Sequence, residues 1–177
     1  AVKMECNSKN FKIIESVVKL GIPVMGHIGY TPQYYNKFKL KGLSKESQLK
    51  LIKEALENER AGVFSIVLEC IETNLAKKIT GLLKIPTIGI GASIYCDGQI
   101  LVTDDMLGLS GFYPRFVKKF VRLNNIIEKG VQKYNKAVLT KKFPSKKNSF
   151  WFMSEKELKN NLQVKVLFII KKNFKKL

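Results

Sequence analysis

Short apolar runs alternate along this chain with stretches whose apolar residues recur at helical spacing, and this alternation constrains the fold more than any other feature of the sequence. Ala1 to Glu5 reads as a short strand. Phe11, Ile14, Val17 and Val18 then fall at helical spacing before Gly21 stops the run. Pro23 to His27 opens a second strand. Ser44 is placed to cap a helix with Leu49, Ile52 and Leu56 on its apolar face, ended by Ala61 and Gly62. Val63 to Leu68 reads as a wholly buried strand that stops at Glu69. Thr73 is placed to cap a short helix ending near Gly81, Thr87 to Ile90 forms a fourth strand, and Ile100 to Thr103 a fifth. A last helical stretch runs from about Arg115 to Val138. Strands apolar on both faces, separated by amphipathic helices, predict a parallel α/β architecture of five visible units.

Composition narrows the function classes. The 177 residues are enough for one packed domain, and 45% hydrophobic content excludes wholesale disorder. The most apolar run, Val164 to Ile170, is interrupted by Lys165 and is far too short to cross a bilayer, so no membrane partner is expected. Ala1 to Glu5 has no basic flank leading into an apolar segment, which predicts no secretory signal there. Three widely spaced cysteines, Cys6, Cys70 and Cys96, predict neither a disulfide framework nor a paired-cysteine metal clamp and fit a reducing cytoplasm. A formal charge of +18 raises the question of nucleic acid. Half of that excess lies in residues 141–177, with 11 lysines against 2 glutamates, and the whole chain has three arginines. Solvated lysines therefore account for the charge better than a groove or phosphate reader built on arginine forks, and no specific nucleic-acid partner is expected.

In parallel α/β folds functional groups gather at the carboxyl ends of the strands. Lys3 and Glu5 are two apart, so both leave the same face of their strand; such charges need a ligand, a metal or each other. Glu69 ends an apolar strand, where burial would favour use as a general base, although a carboxylate there can instead cap the helix that follows. His27 lies between Gly26 and Gly29, open to close approach, yet a lone histidine is commonly a hydrogen-bonded packing residue. Gly89 to Gly91 lacks the third glycine of a dinucleotide fingerprint and reads equally as a tight turn. Asp104 and Asp105 read as ligands or as an acidic helix start.

Taken together, these stretches resemble the ketopantoate hydroxymethyltransferase family. The resemblance is carried by Ala1-Val2-Lys3-Met4-Glu5, by Gly21 to Gln33 with its Gly26-His27-Ile28-Gly29-Tyr30-Thr31-Pro32 core, and by Val67-Leu68-Glu69-Cys70. It continues through Ile85 to Ala92, Asp97 to Val102, and a closing Phe143-Pro144-Ser145 to Ser149-Phe150 segment. The resemblance implies a (β/α)8 TIM barrel, here an incomplete barrel whose five β/α units correspond to the fourth to eighth. It implies transfer of a hydroxymethyl group from 5,10-methylenetetrahydrofolate to the keto acid 3-methyl-2-oxobutanoate, giving 2-dehydropantoate, with Mg²⁺ and a homo-oligomeric assembly. By the same resemblance Glu69 matches the proton acceptor, Lys3 the substrate-binding lysine and Glu5 a carboxylate of the metal site.

The likeness has limits. The family's first hundred or so residues have no counterpart, and with them the two aspartates that bind Mg²⁺ directly, so a separate amino-terminal fragment is an expected partner. Asn36 to Leu43 departs from the family's glycine pair and following basic residue. The likeness covers residues 1–160 as one domain and leaves 161–177 as a lysine-rich extension. The rival expectations are an inactive fragment or remnant of this enzyme and, from another class, a basic nucleic-acid-binding module.

Overall fold

The computed structural model describes residues 1–7, 10–34 and 39–150; the expected extension at 161–177 and Asn36, Lys37 and Phe38 of the departing segment lie outside them. The chain forms two compact units, Ala1–Leu123 and Asn124–Leu177. In the first, five parallel strands follow in order: β1 (Val2–Glu5), β2 (Val24–Gly29), β3 (Ser65–Glu69), β4 (Thr87–Ile90) and β5 (Gly98–Gln99). Helices α1 (Phe11–Lys19), α2 (Lys45–Arg60) and α3 (Thr73–Leu82) make the first three crossovers.

The two faces of the sheet differ. Val24, Ile28, Ile66 and Leu68 point one way and pack with Ile14 of α1, Leu51 and Ala55 of α2 and Leu75, Ala76 and Ile79 of α3 in a single apolar cluster. Ile14, Val24, Ile28, Ile66, Leu68 and Ile79 are fully buried there. Period-two alternation turns Lys3, Glu5, His27, Val67, Glu69 and Ile88 to the opposite face. Parallel strands in sequential order, with their crossovers on one side, leave that second face to carry chemistry.

Local chemistry explains where the elements begin and end. Ser44 caps α2 as expected, its hydroxyl accepting from the Ser47 N–H. The face α2 buries is displaced by about one residue from the expected Leu49, Ile52 and Leu56: Leu51, Glu54, Ala55 and Asn58 are buried and Leu49 is exposed. Two polar members hide that face from a hydrophobic pattern. The third helix is capped by Glu72, not Thr73; the Glu72 carboxylate accepts from the N–H groups of Asn74 and Leu75. Strand β2 starts one residue past Pro23, which has no N–H to give, and runs on to Gly29. Strand β5 is Gly98–Gln99 in place of Ile100 to Thr103, because Val102 already begins the short helix α4 (Thr103–Leu107).

The expected last helix starts later than Arg115, at α5 (Leu123–Leu139). Before it, the Phe120 N–H donates to the carbonyl of Met106, which ties that stretch back to α4. The second unit carries most of α5, an edge-on contact between Tyr134 and Phe143, and a 3-10 turn at Lys146–Asn148. No described helix is long and apolar enough to cross a membrane.

Candidate functional site

Register brings the carboxyl ends of β1, β2 and β3 level. Glu5 lies opposite His27, and Gly29 lies opposite Glu69. Backbone bonds extend this edge past the strands: the Cys6 N–H donates to the His27 carbonyl, and the Tyr30 N–H to that of Glu69. Gly29 has φ +99, and a β-carbon there would collide with the Glu69 carbonyl oxygen. Only a residue without a side chain allows β2 to bend this close to β3. Directly after Glu69 the chain turns through Cys70 at φ 53, in the left-handed region, so the carboxylate stands at an abrupt end.

His27 is the centre of the arrangement. It is 1% exposed, its Nδ1 lies 2.9 Å from the Lys3 ammonium, and its Nε2 lies 3.1 Å from Glu69 Oε2. The second contact is close but not aligned: buried Nε2 has no hydrogen-bond partner of proper direction. Lys3 thus reaches His27 and not Glu5, and two of the three expected residues, Lys3 and Glu69, meet through a histidine. The side chain of Glu69 is 16% exposed, so it keeps access from outside. The carboxylate does not cap α3, since Glu72 holds that role.

Glu5 is placed beside this group and engaged differently. Its carboxylate accepts from the Gln33 N–H at 3.1 Å, which fastens the loop after β2 over the end of β1. Among the described residues no three His, Cys, Asp or Glu side chains converge as a metal site. Mg²⁺ requires nearly octahedral oxygen coordination, and one carboxylate already turned to a backbone N–H does not supply it. The donor set described here therefore does not fit the expected Mg²⁺ site, with Glu5 its one expected member.

The remaining candidates separate from this edge. Asp104 and Asp105 lie in the first turn of α4, where Asp105 accepts from the Ser110 hydroxyl. The Gly89 to Gly91 turn is covered: a β-carbon on Gly91 would run into the Phe116 ring. That packing leaves no cradle for a pyrophosphate. Burial, with the Glu69 charge second, pushes the Cys70 thiol up to about 12, and burial pushes the Cys6 thiol up to about 11. Neither is a thiolate nucleophile at neutral pH.

Beside the site, a cavity of about 350 Å³ opens between the strand ends and α2, lined among others by Cys6, Gly29, Thr31, Lys50 and Glu54. Burial raises the Glu54 carboxyl above its ordinary value of 4.5, only partly offset by Lys50, whose Nζ lies 3.9 Å away. A carboxyl raised on folding binds more protons folded than unfolded, so its contribution to stability is present at low pH and is lost as pH climbs above 4.5. Glu54→Gln is therefore expected to raise the urea midpoint at pH 7 and to change it little at pH 4. An equal shift at both pH values would contradict the burial argument.

The sequence reads His27 most readily as a hydrogen-bonded packing residue, and the structure buries it between Lys3 and Glu69. Its signal was available in Gly26-His27-Ile28-Gly29, where small neighbours surround a ring at a strand end. Its partners were not, because Lys3 is 24 residues away and Glu69 is on another strand.

Comparison with known proteins places the chain in a family. The sequence profile described as ketopantoate hydroxymethyltransferase matches residues 1–146. A 3-methyl-2-oxobutanoate hydroxymethyltransferase of Pelagibacter ubique is 47% identical over 150 residues, which is 85% of this chain and 58% of that protein. The enzyme numbered 2 of Zymomonas mobilis is 50% identical over 153 residues, 85% of this chain and 56% of its own length. One from Clostridioides difficile is 48% identical over 162 residues, 89% of this chain and 58% of its own. The chain thus spans somewhat under three fifths of the length of these curated relatives. A profile match over most of the chain, together with near-half identity, shows that it belongs to the ketopantoate hydroxymethyltransferase family.

Proposed function

We propose that this chain carries the proton-abstracting edge of a hydroxymethyltransferase acting on 3-methyl-2-oxobutanoate, with 5,10-methylenetetrahydrofolate as the one-carbon donor. The observation that carries the reading is the juxtaposition of Lys3, His27 and Glu69 at one sheet edge. Glu69 is the proton acceptor. It takes the hydrogen from C3 of the keto acid, and the C–H electron pair moves to the carbonyl oxygen to give an enolate. Lys3 is the substrate-binding residue: one ammonium donor faces His27, and the others are available to the keto acid's carboxylate. Water cleaves the donor's two carbon–nitrogen bonds, releasing tetrahydrofolate and a formaldehyde-level unit; the enolate carbon adds to that unit's carbonyl carbon, and the resulting alkoxide takes the proton held by Glu69 to become the hydroxyl of 2-dehydropantoate.

Mg²⁺ enters no step assigned to these residues, because the donor set does not fit it; Glu5 instead holds the Gln33 loop. Five parallel strands in sequential order, with their packed crossover helices on one side, support placement as units four to eight of a (β/α)8 barrel. That placement gives the second face of the sheet its cover from further β/α units of the barrel, and a homo-oligomer built on the closed barrel. Widely spaced free thiols support a reducing, cytoplasmic setting.

The test is product formation. The keto acid and 5,10-methylenetetrahydrofolate, incubated with the full chain with and without added Mg²⁺, are expected to yield 2-dehydropantoate by mass spectrometry when the relatives' amino-terminal segment is supplied. Absence of product under every condition would overturn the reading.

Lys3→Ala is expected to raise the Michaelis constant for the keto acid by roughly tenfold to a hundredfold, as loss of a charge-assisted hydrogen bond of about 1.5–3 kcal/mol requires. Steady-state kinetics checks it, and an unchanged constant would exclude Lys3 from substrate binding.

A further inference from the structure

We infer that His27 is a positioning residue, a neutral imidazole protonated at Nε2 that links the Lys3 ammonium to the Glu69 carboxylate and sets the direction from which that carboxylate works. The inference deepens the reading proposed for this edge, and its value for catalysis rests on that reading. The argument begins with donors and acceptors. An ammonium has three N–H donors and no acceptor, so at 2.9 Å from Lys3 the Nδ1 atom must be the acceptor and carries no proton. A ring that accepts at Nδ1 is neutral and holds its single proton at Nε2. That proton faces Glu69, whose Oε2 is 3.1 Å from the nitrogen.

The misalignment of this second contact is informative. Nε2 is fully buried and has no properly directed partner, while the ring is 1% exposed and has little room to turn. Glu69, at 16% exposure, has more freedom, and the terminal torsion of a glutamate is broad and roughly two-fold. Rotation of the carboxylate brings one oxygen into line with the Nε2 proton and turns the other outward. The oxygen fixed by His27 then serves as the anchor, and the free oxygen is the one presented to a substrate hydrogen. Catalytic hydrogen bonds that are loose in an empty site commonly tighten on binding.

The sequence makes the test clean, since His27 is the single histidine of the chain. In the full chain labelled with ¹⁵N-histidine, the two-bond nitrogen–proton spectrum is expected to show the Nε2-protonated neutral ring. Lys3→Met is expected to shift it to a mixture of tautomers. A ring protonated at Nδ1, or a wild-type spectrum unaltered by Lys3→Met, would overturn the inference. Two variants read the link to Glu69 through loss of deuterium from C3-labelled keto acid. Gln at position 27 can place an amide donor where Nε2 stood, whereas Asn reaches only the Nδ1 position. His27→Asn is expected to slow exchange by roughly tenfold to a hundredfold with little change in the Michaelis constant, and His27→Gln to recover most of that loss. Equal loss in both would show a purely structural role and overturn the positioning claim. If the wild-type chain supplied with the relatives' amino-terminal segment exchanges no deuterium, the functional reading fails; the tautomer and its dependence on Lys3 are read without turnover, so the two failures are distinguishable.

Discussion

Glu69→Gln is expected to slow deuterium exchange at C3 of 3-methyl-2-oxobutanoate by about 10² to 10⁴, the range a positioned general base supplies. The change keeps shape and burial and removes only the ability to take a proton. Keto-acid binding is expected to survive, because the counter-charge proposed for the substrate is Lys3, across the histidine. Isothermal titration of the keto acid into the variant, beside the exchange rate followed by proton NMR, separates the two quantities. A variant that exchanges at the original rate would remove Glu69 from the chemistry. Equal loss of binding and exchange would move its role to substrate recognition.

The second large effect lies in the backbone. Gly29→Ala is expected to destabilise the first unit by more than about 3 kcal/mol, because left-handed strain and a collision with main chain act together. The φ of +99 is one part of this; the collision with the Glu69 carbonyl oxygen is the other, and it has no flexible side chain to move aside. Relief comes only by separating β2 from β3, which pulls Glu69 away from His27. The urea midpoint and the exchange rate should therefore fall together. A stable, fully exchanging Gly29→Ala protein would show that the close strand approach is dispensable.

These effects also indicate which features can be read from a linear sequence. Both-face apolar strands between amphipathic helices identify the parallel sheet, because strands of a parallel sheet are covered on both faces and that burial imposes those patterns. Strands β1, β3 and β4 fall within two residues of expectation for that reason. Errors arise where a polar group does an apolar group's work. Buried Glu54 and Asn58 shift the face of α2, and Glu72, an uncommon cap, displaces Thr73, whose hydroxyl donates to the Ala92 carbonyl instead. Gly98 and Gln99 are weak strand formers, and they pair because β4 offers Ile88 and Gly89 in register.

The site divides along the same line. Glu69 is legible because a carboxylate at the end of an apolar run is conspicuous, and Lys3 and Glu5 because period two places them on one face. Their different fates are not legible. Lys3 goes to His27 and Glu5 to the Gln33 N–H, and both pairings depend on register between strands and on the course of a loop. Sequence spacing has no access to either. For the same reason His27, taken alone, reads as packing, and only between Lys3 and Glu69 does it acquire a direction.

The central claim is that Lys3, His27 and Glu69 act as one proton-abstracting edge on a branched keto acid. Its most direct measurement is the C3 proton signal of 3-methyl-2-oxobutanoate, followed by NMR in deuterium oxide with the full chain, the relatives' amino-terminal segment and no folate. Loss of that signal faster than in the presence of the Glu69→Gln protein is the predicted result. A signal that decays no faster with the unaltered chain than with Glu69→Gln, although the keto acid binds, would contradict the claim.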